Sequence, residues 1–273
     1  MQAVFPEPGL RPANGYKQIV IENALLSTPL FSGLNPADIA KLVGVARVRV
    51  LGPGEQLFFE GEESRGLYVV QSGAIRLFRV SAAGQEQVVH IARPRESFAE
   101  ESLFAESGCP LNAAAIQSTR VIVLPRREML GILRTCPDLL MRVTCALSRH
   151  LCEMITLVDD LRLKSARSRL ANWLLHQCPN SQSRESQTIT LSIPKRVVAS
   201  ELGMASETFS RVLAQLQAEH LLAVRGRTLV LLSPRELTAR VREEENQAER
   251  RLAEEPFDRV RSRVDWARES LQA

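Results

Sequence analysis

Residues 203–230 read GMASETFSRVLAQLQAEHLLAVRGRTLV, and this stretch decides the fold. From Ser206 onward the apolar residues Phe209, Val212, Leu213 and Leu216 recur at i, i+3, i+4 and i+7, the spacing of one helical stripe. Glu207, Ser210 and Arg211 fall off that stripe and point away from the core. A carboxylate, a hydroxyl and a guanidinium in the first turns of an exposed helix suit the edges of base pairs in a major groove. After Gln217 the chain becomes LLAVRGRTLVLLS, in which two apolar runs flank Arg225-Gly226-Arg227. That pattern predicts a hairpin with a basic tip, suited to a phosphate backbone.

Working upstream, KRVVASEL follows Pro194, and proline fits a first helical turn because its missing N–H has no intrahelical partner there. Val198 and Leu202 face inward, and Gly203 supplies the turn into the reading helix. Arg162, Lys164, Arg167, Arg169, Lys195 and Arg196 form a basic flank to this helix-turn-helix and wing.

The chain has 273 residues, enough for about two domains. Its 35 Lys and Arg against 31 Asp and Glu give a net charge of +4, which permits nucleic-acid binding without requiring it. The charges from Arg235 onward nearly balance. No apolar run is long enough to span a bilayer, and the N-terminus lacks a charged-then-apolar leader pattern, so a cytoplasmic location is expected. Five scattered cysteines without a C-x₂-C pair argue against a disulfide framework and against a zinc finger. No nucleophile, base and orienting group sit together, so no catalytic residue is assigned and the chain is not read as an enzyme.

Residues 1–22 are rich in Pro, Gly and polar types and are expected to be loose. From Asn23 to Ala46 the pattern is helical, with Asn35-Pro36 marking a helix start. Between Val48 and Leu124 short apolar runs alternate with glycine (GPGEQLFFEGE, GLYVVQSGAIRLFRV, AAGQEQVVHIARP, RVIVLP), the texture of an antiparallel β-sandwich or jelly roll. Farther on, Leu140, Thr144, Leu147, Leu151, Met154, Val158 and Leu161 recur at alternating spacings of four and three, a coiled-coil seam. The favoured partner is a second copy of the chain, which would set two reading helices about 34 Å apart on a palindrome. Packing within the chain is the competing reading of the same periodicity. The order predicts an α+β protein: a β-roll sensor domain at 23–136, a dimerisation helix at 137–164, a winged helix-turn-helix domain at 165–234 and a charged helical extension at 235–273.

PGEQLFFEGE, VVQSGAIRLF, SFAEESLF, PDLLMRVTCALSRHL and ETFSR together resemble the Crp/Fnr family of bacterial transcription regulators over roughly Leu25 to Ser233. The resemblance is strongest to the dissimilatory nitrate respiration branch. It implies a homodimer with a cyclic-nucleotide-binding-like roll, acting on double-stranded DNA and with RNA polymerase. It further implies TTGAT-type half-sites, with Glu207 accepting from a cytosine amine, Arg211 bidentate to a guanine and Ser210 beside a thymine methyl. Ser206, Thr208, Lys195, Arg196, Arg225 and Arg227 are placed on the DNA backbone.

The effector pocket is assigned to Phe98, Glu100 and His90. The family's cyclic-nucleotide site needs a Gly-Glu pair and an Arg-Ser pair, because a buried phosphate requires a cation or a helix N-terminus. Here Glu100 is present, Ala99 stands in the glycine position, and no Lys or Arg falls between Glu96 and Asn112, so cyclic AMP is not expected. Relatives with an iron–sulfur cluster carry cysteines ahead of the roll, and this chain has none before Cys109, so no cluster is expected. Haem, with nitric oxide as its signal, is implied by the branch resemblance, although no spacing singles out His90, His150, His176 or His220 as an axial ligand. Thiol redox is the other open signal. Cys145 and Cys152 lie seven apart on one flank of the seam helix, and Cys109, before Pro110, is expected to be the exposed thiol. The extension, which Pro256 divides and in which Val260, Val264 and Trp266 offer a thin apolar face, reads either as a solvated helix or as one docked on the DNA-binding domain. A reading from another class is an interaction module with a degenerate DNA-binding end.

Overall fold

A computed structural model describes residues 15–254, apart from 64, 83, 85, 106 and 107. The chain divides into two compact units that part between Thr156 and Leu157. The first opens with helices α1 (Gly15–Leu26) and α2 (Pro36–Val45). Helix α2 starts as its sequence predicts: the Asn35 side chain accepts from the Asp38 backbone N–H at 2.9 Å, and Pro36 occupies the first turn. The expectation of a loose segment through residue 22 is corrected from Gly15 onward. Ile21 and Leu25, one helical turn apart, are buried with Phe31 in the helical core, and that burial holds α1 in place.

Eight strands follow: β1 (Arg47–Leu51), β2 (Gln56–Phe58), β3 (Gly66–Ser72), β4 (Ile75–Val80), β5 (Glu86–Ala92), β6 (Ser97–Phe98), β7 (Asn112–Ala115) and β8 (Thr119–Pro125). They form two four-stranded antiparallel sheets, ordered β1-β8-β3-β6 and β2-β7-β4-β5. Strands β3 and β8 read as unbroken apolar runs because both of their faces are covered. Leu67, Val69, Ile122 and Leu124 pack against the helices, whereas Tyr68, Val70, Val121 and Val123 face the core that includes Phe58, Ile75 and Leu77 of the other sheet. Gly66 opens β3 at φ +148°, where a Cβ would lie 2.0 Å from the Leu124 carbonyl oxygen. Gly66→Ala must therefore move a backbone strand. It is expected to cost at least about 1–3 kcal/mol, read as a lower thermal midpoint by circular dichroism.

Helix α3 (Arg126–Thr135) leads into α4 (Pro137–Leu163), a 27-residue helix. The α4 residues Leu139, Val143 and Ala146 are buried in the helical core of the first unit. The second unit contains α5 (Ala166–Gln177), β9 (Gln187–Thr190), α6 (Lys195–Glu201), α7 (Ser206–Ala218), β10 (Leu222–Arg225), β11 (Thr228–Leu231) and α8 (Pro234–Glu254). Its sheet runs β10-β11-β9, all antiparallel. Helix α8 packs along α5 with Leu237 and Val241 buried, so the first part of the extension is a docked helix. Pro256, Val260, Val264 and Trp266 lie outside the described residues. The architecture is the α+β one expected, an N-terminal antiparallel β-roll and a C-terminal winged helix-turn-helix.

Candidate nucleic-acid interface and sensor region

Helix α7 buries Phe209, Val212, Leu213 and Leu216, the four residues of its predicted stripe. Ser206, Glu207, Ser210 and Arg211 are exposed on the other side, and Thr208 is half-buried. Gly203 has φ +62°, the left-handed conformation that the turn from α6 requires. On α6, Val197, Val198 and Ala199 carry the packing; Leu202, expected to face inward, caps the helix half-buried. Arg196 is exposed and Lys195 half-buried. Arg225 pairs with Thr228 across a two-residue turn at Gly226-Arg227, so the hairpin tip is basic, with both arginines exposed. The Arg227 Nε also donates to the Leu191 carbonyl at 3.0 Å, which fixes its guanidinium against the end of β9.

Part of the basic flank is committed elsewhere. Arg167 donates through both terminal nitrogens to the Glu219 carboxylate, at 2.5 and 2.8 Å, and through Nε to Glu244 at 2.7 Å. Arg169 donates to the backbone carbonyls of Leu202, Lys164 and Gly203. Lys164 pairs with Asp160 at 2.7 Å. Within the basic flank, therefore, Arg167 and Arg169 tie elements of the domain to one another, and Lys164 pairs within the end of α4.

On α4 an apolar stripe faces away from the buried side. Leu151 is 63% exposed, Ile155 55% and Val158 52%, and Leu140, Met141 and Leu161 are exposed as well. Thr144 is exposed with its hydroxyl returned to the Leu140 carbonyl. Leu147 packs partly against the helical core and Met154 is half-buried, so the stripe is centred more towards Met141 and Ile155 than the sequence spacing placed it. Cys145 and Cys152 are exposed on the same helix. Cys109 is buried, not exposed, and burial together with the charges of Glu101 and Glu62 pushes its thiol up to about 11.

In the roll, Phe98 stacks on Tyr68 at 5.2 Å and Tyr68 meets Phe58 at 5.4 Å. Ala99 adopts φ +64°, a left-handed conformation that favours glycine. Glu100 is fully buried, and neither of its carboxylate oxygens has a hydrogen-bond partner. The group facing it is one that the sequence did not single out: His150 of α4, whose Nδ1 lies 3.8 Å from Glu100 Oε2. His90 stands beside His150, ring centroids 6.4 Å apart, with its Nε2 3.4 Å from Glu96. Burial works upward on the Glu96 carboxyl, but His90 and the Arg93 backbone N–H hold it below the ordinary range. Burial and the neighbouring Glu100 push the Glu101 carboxyl up. Among the described residues no three His, Cys, Asp or Glu are grouped to hold a metal ion. Haem needs a flat apolar slot and an axial ligand. The Phe58–Tyr68–Phe98 stack occupies the core between the sheets, and the groove lined by Val20, Asn23, Ala24, Ser27, Val70, Gln71 and Arg95 presents no ligand side chain. Among the described residues, that groove offers a haem no axial ligand.

A cyclic-nucleotide-binding-like β-roll followed by a long helix and a winged helix-turn-helix is the architecture of a DNA-binding regulator. The profile of the cyclic nucleotide-binding domain matches residues 48–136, and that of the Crp-like helix-turn-helix domain matches 168–240. The chain is 32% identical over 192 residues to the cyclic AMP receptor protein of Thermus thermophilus, covering 70% of this chain and 87% of that one. It is 29% identical over 218 residues to the transcriptional activator protein Anr of Pseudomonas protegens, covering 79% and 88%. The structure of FixK2 from Bradyrhizobium japonicum superposes with a TM-score of 0.61 at 24% identity, covering 71% of this chain and 96% of that one. The chain belongs to the Crp/Fnr family of DNA-binding transcription regulators. No helix among the described residues is long and apolar enough to cross a membrane.

Proposed function

We propose that two copies of this chain pair along the exposed stripe of α4 and read a palindromic TTGAT-type site in the cytoplasm. The observation that carries the reading is the exposure of Glu207, Ser210 and Arg211 on the side of α7 opposite its buried stripe. Glu207 accepts from cytosine, Arg211 donates to guanine, and Ser210 lies beside a thymine methyl. Ser206, Thr208, Lys195, Arg196, Arg225 and Arg227 hold the phosphates on either side. Helix α7 has no side-chain cap at its N-terminus, so its first N–H groups are available to a phosphate as well. RNA polymerase is the proposed onward partner, by the same likeness to the nitrate respiration regulators that suggests the half-site.

The controlling signal is proposed to be something other than a cyclic nucleotide. A phosphate in the roll would meet the carboxyls of Glu96, Glu100 and Glu101, with no Lys or Arg between residues 97 and 111 to receive it. Thiol chemistry at Cys145 and Cys152 is the control for which the structure supplies exposed groups, on the helix that bears the pairing stripe.

A mobility-shift titration on a TTGAT palindrome tests the reading. Binding is expected in the range of about 10⁻⁸ to 10⁻¹¹ M, steeply weakened by salt, and unchanged by cyclic AMP. Equal affinity for a scrambled duplex would point instead to an interaction module with a degenerate DNA-binding end, and tightening by cyclic AMP would restore the nucleotide.

A further inference from the structure

Helix α8 is tied by its charges to the far end of the reading helix. Glu219 caps the C-terminus of α7, where a carboxylate opposes the helix dipole unless cations answer it. Two do. Arg167 of α5 grips both of its oxygens, and Arg240 of α8 donates to Oε2 at 2.8 Å. These guanidiniums hold the Glu219 carboxyl below its ordinary range, Arg167 most of all. Helix α8 then holds Arg167 from behind. Glu244 accepts from Arg167 Nε at 2.7 Å and from the Ser168 hydroxyl at 3.0 Å, and Glu245 accepts from Asn172 at 2.9 Å. Glu244 and Glu245 lie past residue 240, where the match to the helix-turn-helix profile ends.

We propose that Glu219, Arg167, Arg240 and Glu244 are positioning residues for DNA reading, an ionic brace through which α8 fixes the pitch of α7. The proposal rests on the DNA-reading function above. Its physical basis is the difference between two kinds of contact. The apolar stripe of α7 holds the helix to its domain without directional preference, so it permits small rolls and slides. Guanidinium–carboxylate forks are directional and fix both angle and height. Arg211 lies eight residues before Glu219, about 12 Å along the axis, so a small tilt at the braced end displaces the reading groups. Hydrogen bonds to base edges do not tolerate such displacement, whereas long-range attraction to phosphates does. Loss of the brace therefore costs sequence preference before it costs general affinity.

The test compares Arg240→Gln and Glu244→Gln in the full chain, on the TTGAT palindrome and on a scrambled duplex at one salt concentration. The two substitutions change net charge in opposite directions, so affinity for the scrambled duplex is expected to move in opposite directions. The ratio of palindrome to scrambled affinity is expected to fall in both, by about tenfold, within the range that one base contact supplies. Arg240→Lys, which keeps the charge, is expected to recover most of the ratio. Thermal melts read in parallel are expected to shift little, since each lost pair is partly solvated. An unchanged ratio, a ratio that follows net charge, or a variant that unfolds in the cold would overturn the brace. A wild-type chain with no preference for the palindrome would instead remove the DNA-reading function beneath it.

Discussion

Arg211→Ala is expected to abolish the preference for guanine at one position of each half-site while leaving the fold intact. Arg211 is exposed on α7 and contributes nothing to the buried stripe of Phe209, Val212, Leu213 and Leu216, so its removal opens no cavity. A bidentate arginine–guanine pair discriminates by about 1–3 kcal/mol, roughly 5- to 150-fold, and a symmetric dimer loses it twice. The measurement is a set of mobility shifts on duplexes carrying each base at that position. The wild type is expected to rank guanine first and the variant to bind all four alike. Arg225→Ala at the wing tip offers the contrast: phosphate contacts carry no sequence information, so affinity should drop on every duplex and the salt slope should fall by about two units, about one for each chain of the pair. If Arg211→Ala keeps the wild-type ranking, another side chain reads that base.

Leu151→Asp is expected to convert the proposed dimer to monomers. Leu151 is 63% exposed at the middle of the α4 stripe, between Met141 and Leu161, and has no role in the core formed by Leu139, Val143 and Ala146. Burying a leucine contributes about 1.5–3 kcal/mol, and two-fold symmetry doubles the loss. An aspartate there adds the desolvation of a charge on each chain. Together these raise the dissociation constant of the pair by at least about a thousandfold, on the scale of tenfold per 1.4 kcal/mol. Sedimentation velocity at micromolar protein reads the outcome, and the same variant should shift only isolated half-sites. A stable dimer carrying Leu151→Asp would place the pairing surface elsewhere.

The features that were legible in the sequence depend on local periodicity and turn chemistry. Phe209, Val212, Leu213 and Leu216 are buried as their spacing requires, Asn35 caps α2, and the glycine-spaced runs form the roll. The illegible features depend on partners distant in the chain. Arg167 was read as a basic flank because its acceptors, Glu219 and Glu244, lie 52 and 77 residues away. His150 was one of four unremarkable histidines until the fold set it against Glu100. Cys109, next to a proline, looked like an exposed loop thiol, yet its segment is tucked beneath the turn at Gly61 and Glu62 through backbone hydrogen bonds. On α4 the spacing groups Leu147 with the exposed apolar residues, whereas the fold packs it partly against the helical core.

The polypeptide passes from one compact unit to the other once, between Thr156 and Leu157, inside the uninterrupted hydrogen-bonded run of α4. An α-helix stretches or untwists only by giving up backbone hydrogen bonds. A glycine or proline placed in that run would therefore weaken or remove backbone hydrogen bonds within α4 itself, a loss of helix that circular dichroism would read.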